Sequence, residues 1–393
     1  MKDRIIHWLV IPIVSVLVWM QFSTHFAKIN ISWVPLNSHI PHVNSLKNNT
    51  HLDLRSFLRS HNGEFPVIME RDVDTHRENA AFMVLCRNED LYSLTETIQN
   101  VQDRFNSKFS YDWVFLNDVE FTEDFMYNVL TLIPSGSVKF GKIPQEEWSI
   151  PDWINQTLAR ENWDIYEQQN MIYGKSESYR NMCRYFSGFF YNHPLMATYQ
   201  YYWRIEPGVK YYCDIDYDVF QFMQQNEISY GFTISMFEYA DTIPSLWSSF
   251  NEFMDVNDYE RGDLIDFVQN DDKDKTYNLC HFWTNFEIAD LRIFQNSKYQ
   301  QFFQYLDQLG GFYYERWGDA PVHSLFISSF LNADEVWWFG DIGYYHAPYL
   351  QCPRDTSVRS KGKCSCNPEK DFSSDRLSCT NLLLAIKNMT TAS

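Results

Sequence analysis

The chain has 393 residues, and its 32 basic and 51 acidic side chains give a net charge of −19 at pH 7. This sign argues against a nucleic-acid binder, which needs a basic face to hold phosphates. With 45% hydrophobic residues and only 14 glycines and 14 prolines, the composition is typical of a folded chain and excludes collagen-like and low-complexity classes.

An apolar segment lies close to the N-terminus. Residues 5–22 are almost entirely apolar and follow Lys2 and Arg4, and about 18 apolar residues are just enough to span a bilayer. No small-residue cleavage site follows, which favours an uncleaved signal anchor over a cleavable signal peptide. Because the basic residues come first, the positive-inside rule predicts a cytosolic tail at 1–4 and a lumenal remainder, a single-pass type II topology.

Residues 23–78 are polar and show no sustained helical or strand periodicity of apolar residues, so they are predicted to form a lumenal stem. N-glycosylation sequons agree with a lumenal chain; the candidate asparagines are Asn30, Asn48, Asn155 and Asn388. The eight cysteines are expected to form disulfides in an oxidising lumen, although the sequence does not choose among the pairings. Zinc at Cys364 and Cys366 is disfavoured, because the two lie too close in sequence and no histidine follows nearby.

A catalytic domain is predicted over residues 79–353, followed by a Cys-containing tail at 354–393. In chain order the apolar patterns predict a strand at 80–86, a helix at 91–105, a strand at 111–116, a helix at 125–133 and a strand at 138–141. This βαβαβ order is typical of a nucleotide-binding α/β sheet. Neither the glycine-rich dinucleotide fingerprint nor a P-loop occurs, which counts against those two enzyme classes but not against nucleotide-sugar enzymes.

Carboxylates concentrate around the next predicted strand. The aromatic segment 199–207 ends with Glu206 before a proline, and ligands of open α/β sheets bind outside such strand ends. Asp214, Asp216 and Asp218 are predicted to share one face of an extended strand. Oxygen ligands of this kind suit Mn²⁺ or Mg²⁺, whereas the later positions of an EF-hand loop are not matched. The alternative is that these aspartates cap a turn and line a solvated edge.

Three later segments, at 281–288, 314–323 and 339–346, set titratable residues among bulky aromatics. A carboxylate or imidazole in such surroundings has a shifted pKa or a partner, which makes it an active-site candidate. The alternative is a buried, hydrogen-bonded side chain, and for His323 this structural role is the preferred interpretation.

Long motifs run in one order from about residue 80 to 353. They are YDWVFLND at 111–118, YRNMCRYFSG at 179–188, YWRIEP at 202–207, YGFTIS at 230–235, YNLCHFW at 277–283 and ERWGDAPVHS at 315–324. Through these motifs the sequence resembles the fungal Golgi alpha-1,2-mannosyltransferases, the KTR-type mannosyltransferase family. The resemblance implies a GT-A type α/β fold, with a Rossmann-like mixed sheet flanked by helices.

The resemblance also implies an activity. It indicates a retaining transferase of the Golgi membrane that moves mannose from GDP-mannose to mannose-terminated N- or O-linked glycans of glycoproteins, with Mn²⁺ as cofactor. By matching motif, Glu206 replaces the usual Asp-x-Asp metal motif and His346 supplies a second metal ligand. One departure from the family pattern is Gly208, where members often carry an acid, so that the metal is expected to rely more on the diphosphate and water.

Further roles follow from the same resemblance. Tyr179 and Asp319 are expected to contact donor or acceptor, and Arg87, whose guanidinium suits a diphosphate, to lie near the nucleotide. Glu287 matches the residue proposed in the family as nucleophile. Retention requires either a covalent glycosyl-enzyme on Glu287 or attack from the face that the leaving group vacates, in which case Glu287 stabilises oxocarbenium charge.

Two rival functions compete with transfer. A glycoside hydrolase would use a carboxylate pair such as Glu287 and Asp319 with water as acceptor, without nucleotide or metal. A lumenal lectin, or a catalytically inactive family member, would bind glycans through its aromatics. Gly208 keeps this second rival open, because a weakened metal site costs catalysis before it costs folding.

Overall fold

A mixed sheet forms the centre of the molecule. The computed structural model describes residues 50–60, 65–71 and 77–387, and the described part from His51 onward belongs to one packed unit. Its strands are β1 (Val67–Met69), β2 (Ala80–Leu85), β3 (Asp112–Asn117), β4 (Val138–Lys142), β5 (Tyr201–Ile205), β6 (Lys210–Tyr211), β7 (Tyr230–Phe232), β8 (Ser235–Phe237), β9 (Cys280–Phe282), β10 (Ile288–Asp290), β11 (Val336–Trp338), β12 (Tyr344–His346) and β13 (Tyr349–Gln351).

Helices cover both faces of this sheet. Among the described residues, those of six residues or more are α1 (Thr50–Ser60), α2 (Leu91–Val101), α3 (Glu123–Leu132), α4 (Gln156–Gln168), α5 (Glu177–Gly188), α6 (Val219–Gln225), α7 (Leu246–Val256), α8 (Ser297–Leu309), α9 (Asp319–Phe330), α10 (Thr356–Lys361) and α11 (Thr380–Ile386). Several begin at a side-chain cap that accepts a backbone N–H, as Ser176 does at the start of α5, which satisfies a donor that the helix itself leaves free.

Eight strands form the main sheet, in the order β1-β4-β3-β2-β5-β10-β7-β11. Strands β4, β3, β2 and β5 are parallel, which confirms the predicted βαβαβ unit. Strand β10 runs antiparallel to β5 and to β7, so the sheet is mixed, as predicted for a GT-A type fold. Parallel strands place their carboxyl ends along one edge, where α/β folds bind ligands.

Aromatic side chains fill much of the core on both faces. Phe82 of β2 packs against Trp113 of β3 and Trp203 of β5, with ring centroids 4.5 and 5.5 Å apart. All three are buried. The apolar helix positions predicted from spacing, such as Leu94 and Ile98, are buried as well. The high aromatic content is therefore explained in part by packing.

The segment after residue 353, predicted as a tail, is packed into the domain. Helix α11 buries Leu383 and Leu384. Three disulfides tie this segment to earlier parts of the chain; they are Cys213–Cys364, Cys280–Cys379 and Cys352–Cys366. Cys86 and Cys183 are free and buried. The predicted boundary differs because a disulfide framework replaces much of the apolar patterning that marks a domain in sequence.

The predicted stem also differs in its last part. Strand β1 lies within it and pairs antiparallel with β4 at the edge of the main sheet. The anchor at 5–22, the tail at 1–4 and the sequons at Asn30, Asn48 and Asn388 lie outside the described residues. Within the described ranges, no helix combines the length and the apolar character that a bilayer span needs. The fourth sequon asparagine, Asn155, is exposed and caps α4.

Candidate active site

A cavity of about 920 Å³ opens at the carboxyl ends of the central parallel strands, within the size range of small-molecule sites. Residues that follow β2, β3 and β5 line it, namely Arg87, Asp118 and Glu206. The opposite wall comes from the start of α5, the start of α9 and the end of β12. The strand-end position predicted for the ligand site is therefore the position of the cavity.

Glu206 and His346 meet in this cavity. Oε2 of Glu206 lies 3.3 Å from Nε2 of His346. A separate three-stranded sheet, in the order β13-β12-β6, brings them together. Strand β6 follows Glu206 in the chain and pairs with β12, whose last residue is His346. The ring of Trp283 packs edge-on against the imidazole at 4.8 Å and holds its orientation.

The two facing atoms of this pair favour a cation between them. Burial alone raises the pKa of Glu206, but the Arg204 guanidinium and His346 outweigh it and lower that pKa to about 2. Burial lowers the pKa of His346, yet the Glu206 carboxylate raises it above its ordinary value overall. Nδ1 of His346 donates to the carbonyl oxygen of Ala347 at 3.0 Å. Two electron-rich atoms, Nε2 and a carboxylate oxygen, then face each other and need a proton or a metal ion between them.

Arg204 is a site residue that the sequence reasoning missed. Its guanidinium is buried and donates to Asp319 Oδ2 at 2.7 Å and to Glu206 Oε1 at 2.5 Å. It also lies 3.5 Å from the ring centroid of Phe186. Although burial lowers its pKa, the carboxylates raise that pKa overall and keep the group charged. The available signal was its position in β5 two residues before Glu206, since side chains two apart in extended backbone point to the same side.

Asp319 lines the cavity at the start of α9. Its Oδ2 accepts hydrogen bonds from Arg204 and from the hydroxyl of Thr284, both at 2.7 Å. One carboxylate oxygen is therefore committed to holding the wall together. The other carboxylate oxygen of Asp319 is the one proposed to contact donor or acceptor.

Arg87 and Tyr179 also line the cavity. Arg87 follows β2, is about half exposed, and donates to the hydroxyl of Ser178 in the first turn of α5. Tyr179 lies one residue further along α5, and the guanidinium carbon of Arg316 lies 5.3 Å from the centroid of the Tyr179 ring. A guanidinium beside the positive end of a helix dipole forms an environment suited to an anion such as a diphosphate.

Glu287 is not brought into the cavity. It is fully buried, whereas Trp283, Thr284 and Asn285 of the same segment form the lining. Oε1 of Glu287 lies 2.9 Å from Nδ1 of His323, and Oε2 accepts from the hydroxyl of Tyr202. Both carboxylate oxygens therefore face protein groups beneath the cavity floor. Of the two roles expected for Glu287, direct attack requires a carboxylate oxygen that reaches the anomeric carbon, whereas stabilisation of oxocarbenium charge does not. The choice between these roles stays a prediction.

His323 has the structural role that the sequence analysis preferred. It is fully buried, and its Nε2 lies 3.0 Å from the carbonyl oxygen of Phe186. Burial alone lowers its pKa, but the adjoining Glu287 carboxylate raises the pKa above its ordinary value. His281 is buried too, and its Nδ1 has no hydrogen-bond partner among the described residues although the side chain lines the cavity.

The aspartates of the 214–218 segment serve other purposes. The segment is irregular backbone and not the predicted strand. Asp214 pairs with Arg104 at 2.6 Å and with Lys363 at 3.1 Å, Asp216 pairs with Lys108, and Asp218 caps α6. Their carboxylates are absent from the cavity lining. The capping part of the alternative agrees with Asp218, although it caps a helix, whereas the ion pairs of Asp214 and Asp216 were not expected.

The described residues contain no group of three or more His, Cys, Asp or Glu side chains placed to share a metal ion. Glu206 and His346 are thus two protein ligands at most. The remaining positions around a metal would be left to the diphosphate and water, as expected from Gly208. Gly208 itself adopts a φ of +88° and has open space where a side chain would project.

Comparison with known proteins decides the family. The family model described as glycolipid 2-alpha-mannosyltransferase matches residues 39–388. The chain belongs to this family. It is 53% identical to the probable mannosyltransferase MNT3 of Candida albicans, with 86% of this chain and 88% of the relative covered. It is 52% identical to the alpha-1,2 mannosyltransferase KTR1 of Saccharomyces cerevisiae, with 80% of each chain covered.

Solved structures of family members agree in fold. The core-mannan synthase A of Aspergillus fumigatus, in an Mn/GDP form, is 39% identical with a TM-score of 0.75, covering 81% of this chain and 88% of the other. The mannosyltransferase Ktr4p of Saccharomyces cerevisiae, in complex with GDP, is 34% identical with a TM-score of 0.75, covering 87% and 92%. The predictions of the KTR-type family, the GT-A type fold and a mannosyltransferase are confirmed.

Proposed function

We propose that this member of the family transfers mannose from GDP-mannose to mannose-terminated glycans of glycoproteins, forming an α-1,2 bond with retention and using Mn²⁺. The observation that carries the proposal is the pair of Glu206 and His346 at 3.3 Å in a cavity at the strand ends. The Mn/GDP form of core-mannan synthase A supports it. We further propose that the chain acts at the Golgi membrane, anchored through residues 5–22.

The donor atoms of the pair fit Mn²⁺. One carboxylate oxygen and one imidazole nitrogen are a ligand set that suits this ion, and the low pKa of Glu206, about 2, keeps its carboxylate ionised at neutral pH. When bound, a divalent ion neutralises the charge that develops on the leaving diphosphate. Arg204 holds the other oxygen of Glu206, so the carboxylate is fixed before a ligand arrives.

The donor diphosphate is assigned to the wall formed by Arg87 and the first turn of α5. The guanidinium of Arg87 reaches this turn through Ser178, and free N–H groups of a helix start favour a negative charge. Tyr179 and Asp319 line the adjoining space and are proposed to contact the sugars.

The position of Glu287 favours the same-face route to retention. A covalent intermediate requires a free carboxylate oxygen beside the anomeric carbon, and both oxygens of Glu287 face His323 and Tyr202 beneath the floor. We therefore propose Glu287 as a positioning residue, whose negative charge supports the floor and the Arg204 network. The hydrolase alternative loses support for the same reason, because its carboxylate pair would need Glu287 in the cavity.

The experiment is transfer from GDP-mannose to methyl α-mannoside by the full chain, with Mn²⁺ and then with EDTA. A new α-1,2 disaccharide that disappears with EDTA supports the proposal. Hydrolysis of mannosides without nucleotide would support the hydrolase instead. If a folded chain binds mannosides but forms no product with any mannose-terminated acceptor, the lectin or inactive alternative is correct, and the first variant to restore activity would be Gly208→Asp.

A further inference from the structure

Exposed apolar side chains gather at the mouth of the cavity. Five large hydrophobic residues that line it are also exposed to solvent; they are Ile172, Tyr173, Phe237, Tyr239 and Leu377. Large apolar side chains in a soluble domain are normally buried, and a contiguous exposed group rimmed by polar residues marks a binding surface. We call these five residues the mouth cluster.

Tyr173 is the member of this cluster that the structure fixes most firmly. The residue is 58% exposed, and its ring stacks on the ring of Tyr179, with centroids 4.5 Å apart and planes 13° from parallel. One face of the Tyr173 ring is therefore supported by a residue of the cavity wall. The other face is left for a ligand.

The backbone at Tyr173 is strained. Its φ of +59° lies in the left-handed region. This conformation is unfavourable for an aromatic residue and persists only where the surroundings enforce it. The buried guanidinium of Arg180 enforces it by donating to the carbonyl oxygens of Tyr173 at 3.3 Å, Ser176 at 3.2 Å and Glu315 at 3.2 Å. Such strain clusters at ligand-binding positions.

We infer that the mouth cluster binds the acceptor glycan beyond its terminal mannose, with Tyr173 as the stacking platform for the next sugar. The acceptor is the expected ligand because the mouth is continuous with the cavity. When the terminal sugar of an acceptor lies near the Glu206 and His346 pair, the rest of its glycan has to extend through this mouth. The apolar face of a hexose pairs with an aromatic ring that has one free face. Tyr239, 61% exposed, belongs to the same mouth. This inference rests on the proposed function.

The test compares a short and a long acceptor. For the full chain with GDP-mannose and Mn²⁺, kcat/KM is measured with methyl α-mannoside and with an α-1,2-linked mannotriose. We expect the wild type to prefer mannotriose and Tyr173→Ala to reduce this preference by roughly three- to tenfold, through the KM for mannotriose. Tyr173→Phe keeps the ring and is expected to restore the preference. Tyr239→Ala is a second variant, outside the strained segment, expected to lower the preference.

The matched control is Tyr92→Ala, which removes a tyrosine that is 82% exposed on α2 and should leave both acceptors unchanged. An equal loss for both acceptors, or a changed KM for GDP-mannose, would overturn the inference. So would a stronger Tyr173 dependence for a serine-linked mannosyl peptide than for mannotriose, since the mouth would then recognise polypeptide. Calorimetric measurement of mannotriose binding tests the mouth assignment separately from the proposed function. Binding that depends on Tyr173, without any mannose transfer, would support the mouth assignment and reject the proposed function.

Discussion

Replacing Glu287 with glutamine separates its two possible roles. The amide has nearly the shape of the carboxylate and is able to keep the hydrogen bond from Tyr202, but it removes the charge that faces His323 at 2.9 Å. The side chains of Glu287 and His323 are both fully buried, and removing one partner of a buried ion pair destabilises a fold by about 3–5 kcal/mol. Because the isosteric change leaves no cavity, we expect a loss near the lower limit, about 3 kcal/mol.

The expected effect on turnover is smaller than the loss of a nucleophile. A floor residue acts through position, and a shift of about 1 Å in a reacting group costs on the order of 100-fold. Glu287→Gln should therefore keep kcat within about 100-fold of the wild type, whereas removing a covalent nucleophile costs on the order of 10⁶-fold. Initial rates of mannose transfer and urea unfolding of the same preparation measure both quantities.

A matched buried carboxylate provides the control. Asp307 pairs with Arg184 at 2.7 and 2.9 Å away from the cavity lining, so Asp307→Asn should lose comparable stability with little change in kcat. A loss of kcat beyond about 10⁴-fold in Glu287→Gln, together with an unchanged unfolding free energy, would refute the positioning role and favour a nucleophile. Detection of a mannosyl adduct on Glu287 by mass spectrometry would do the same.

The remaining predictions concern the metal pair, a glycine and a buried histidine. Glu206→Gln should abolish transfer and Mn²⁺-dependent GDP binding with the fold retained; calorimetry and circular dichroism check this, and unchanged activity contradicts it. Gly208→Asp should destabilise the chain by about 1 kcal/mol without a clash, since its φ is +88°; a gain in stability contradicts the backbone argument. The pKa of His323 is raised in the folded state. Its protonated form therefore contributes fully to the stability of the fold below pH about 6.5, and this contribution is lost as pH rises through the folded-state pKa. The difference in unfolding free energy between the wild type and His323→Gln should therefore be larger at pH 6 than at pH 9. Equal differences at the two pH values, measured by urea unfolding, would refute this.

Local patterns were sufficient for the first parallel unit of the sheet, residues 80–141. The apolar runs at 80–86 and 138–141 and the helical spacing from Leu91 onward predicted β2, β4 and α2 closely, because parallel strands buried on both faces read as continuous apolar runs. The motif resemblance supplied the family and the cofactor. It also named Glu206 and His346 as partners, which strand pairing does bring together.

What the sequence determined by itself is the chemistry available: the family, the strand-end carboxylate, the histidine and the aromatic core. Which groups meet was decided by the tertiary structure. Burial placed Glu287 under the floor against His323, ion pairs drew Asp214 and Asp216 away from the cavity, and three disulfides joined the last segment to the domain. The physical reason is that burial, ion pairing and disulfide choice depend on neighbours distant along the chain, which no local pattern records.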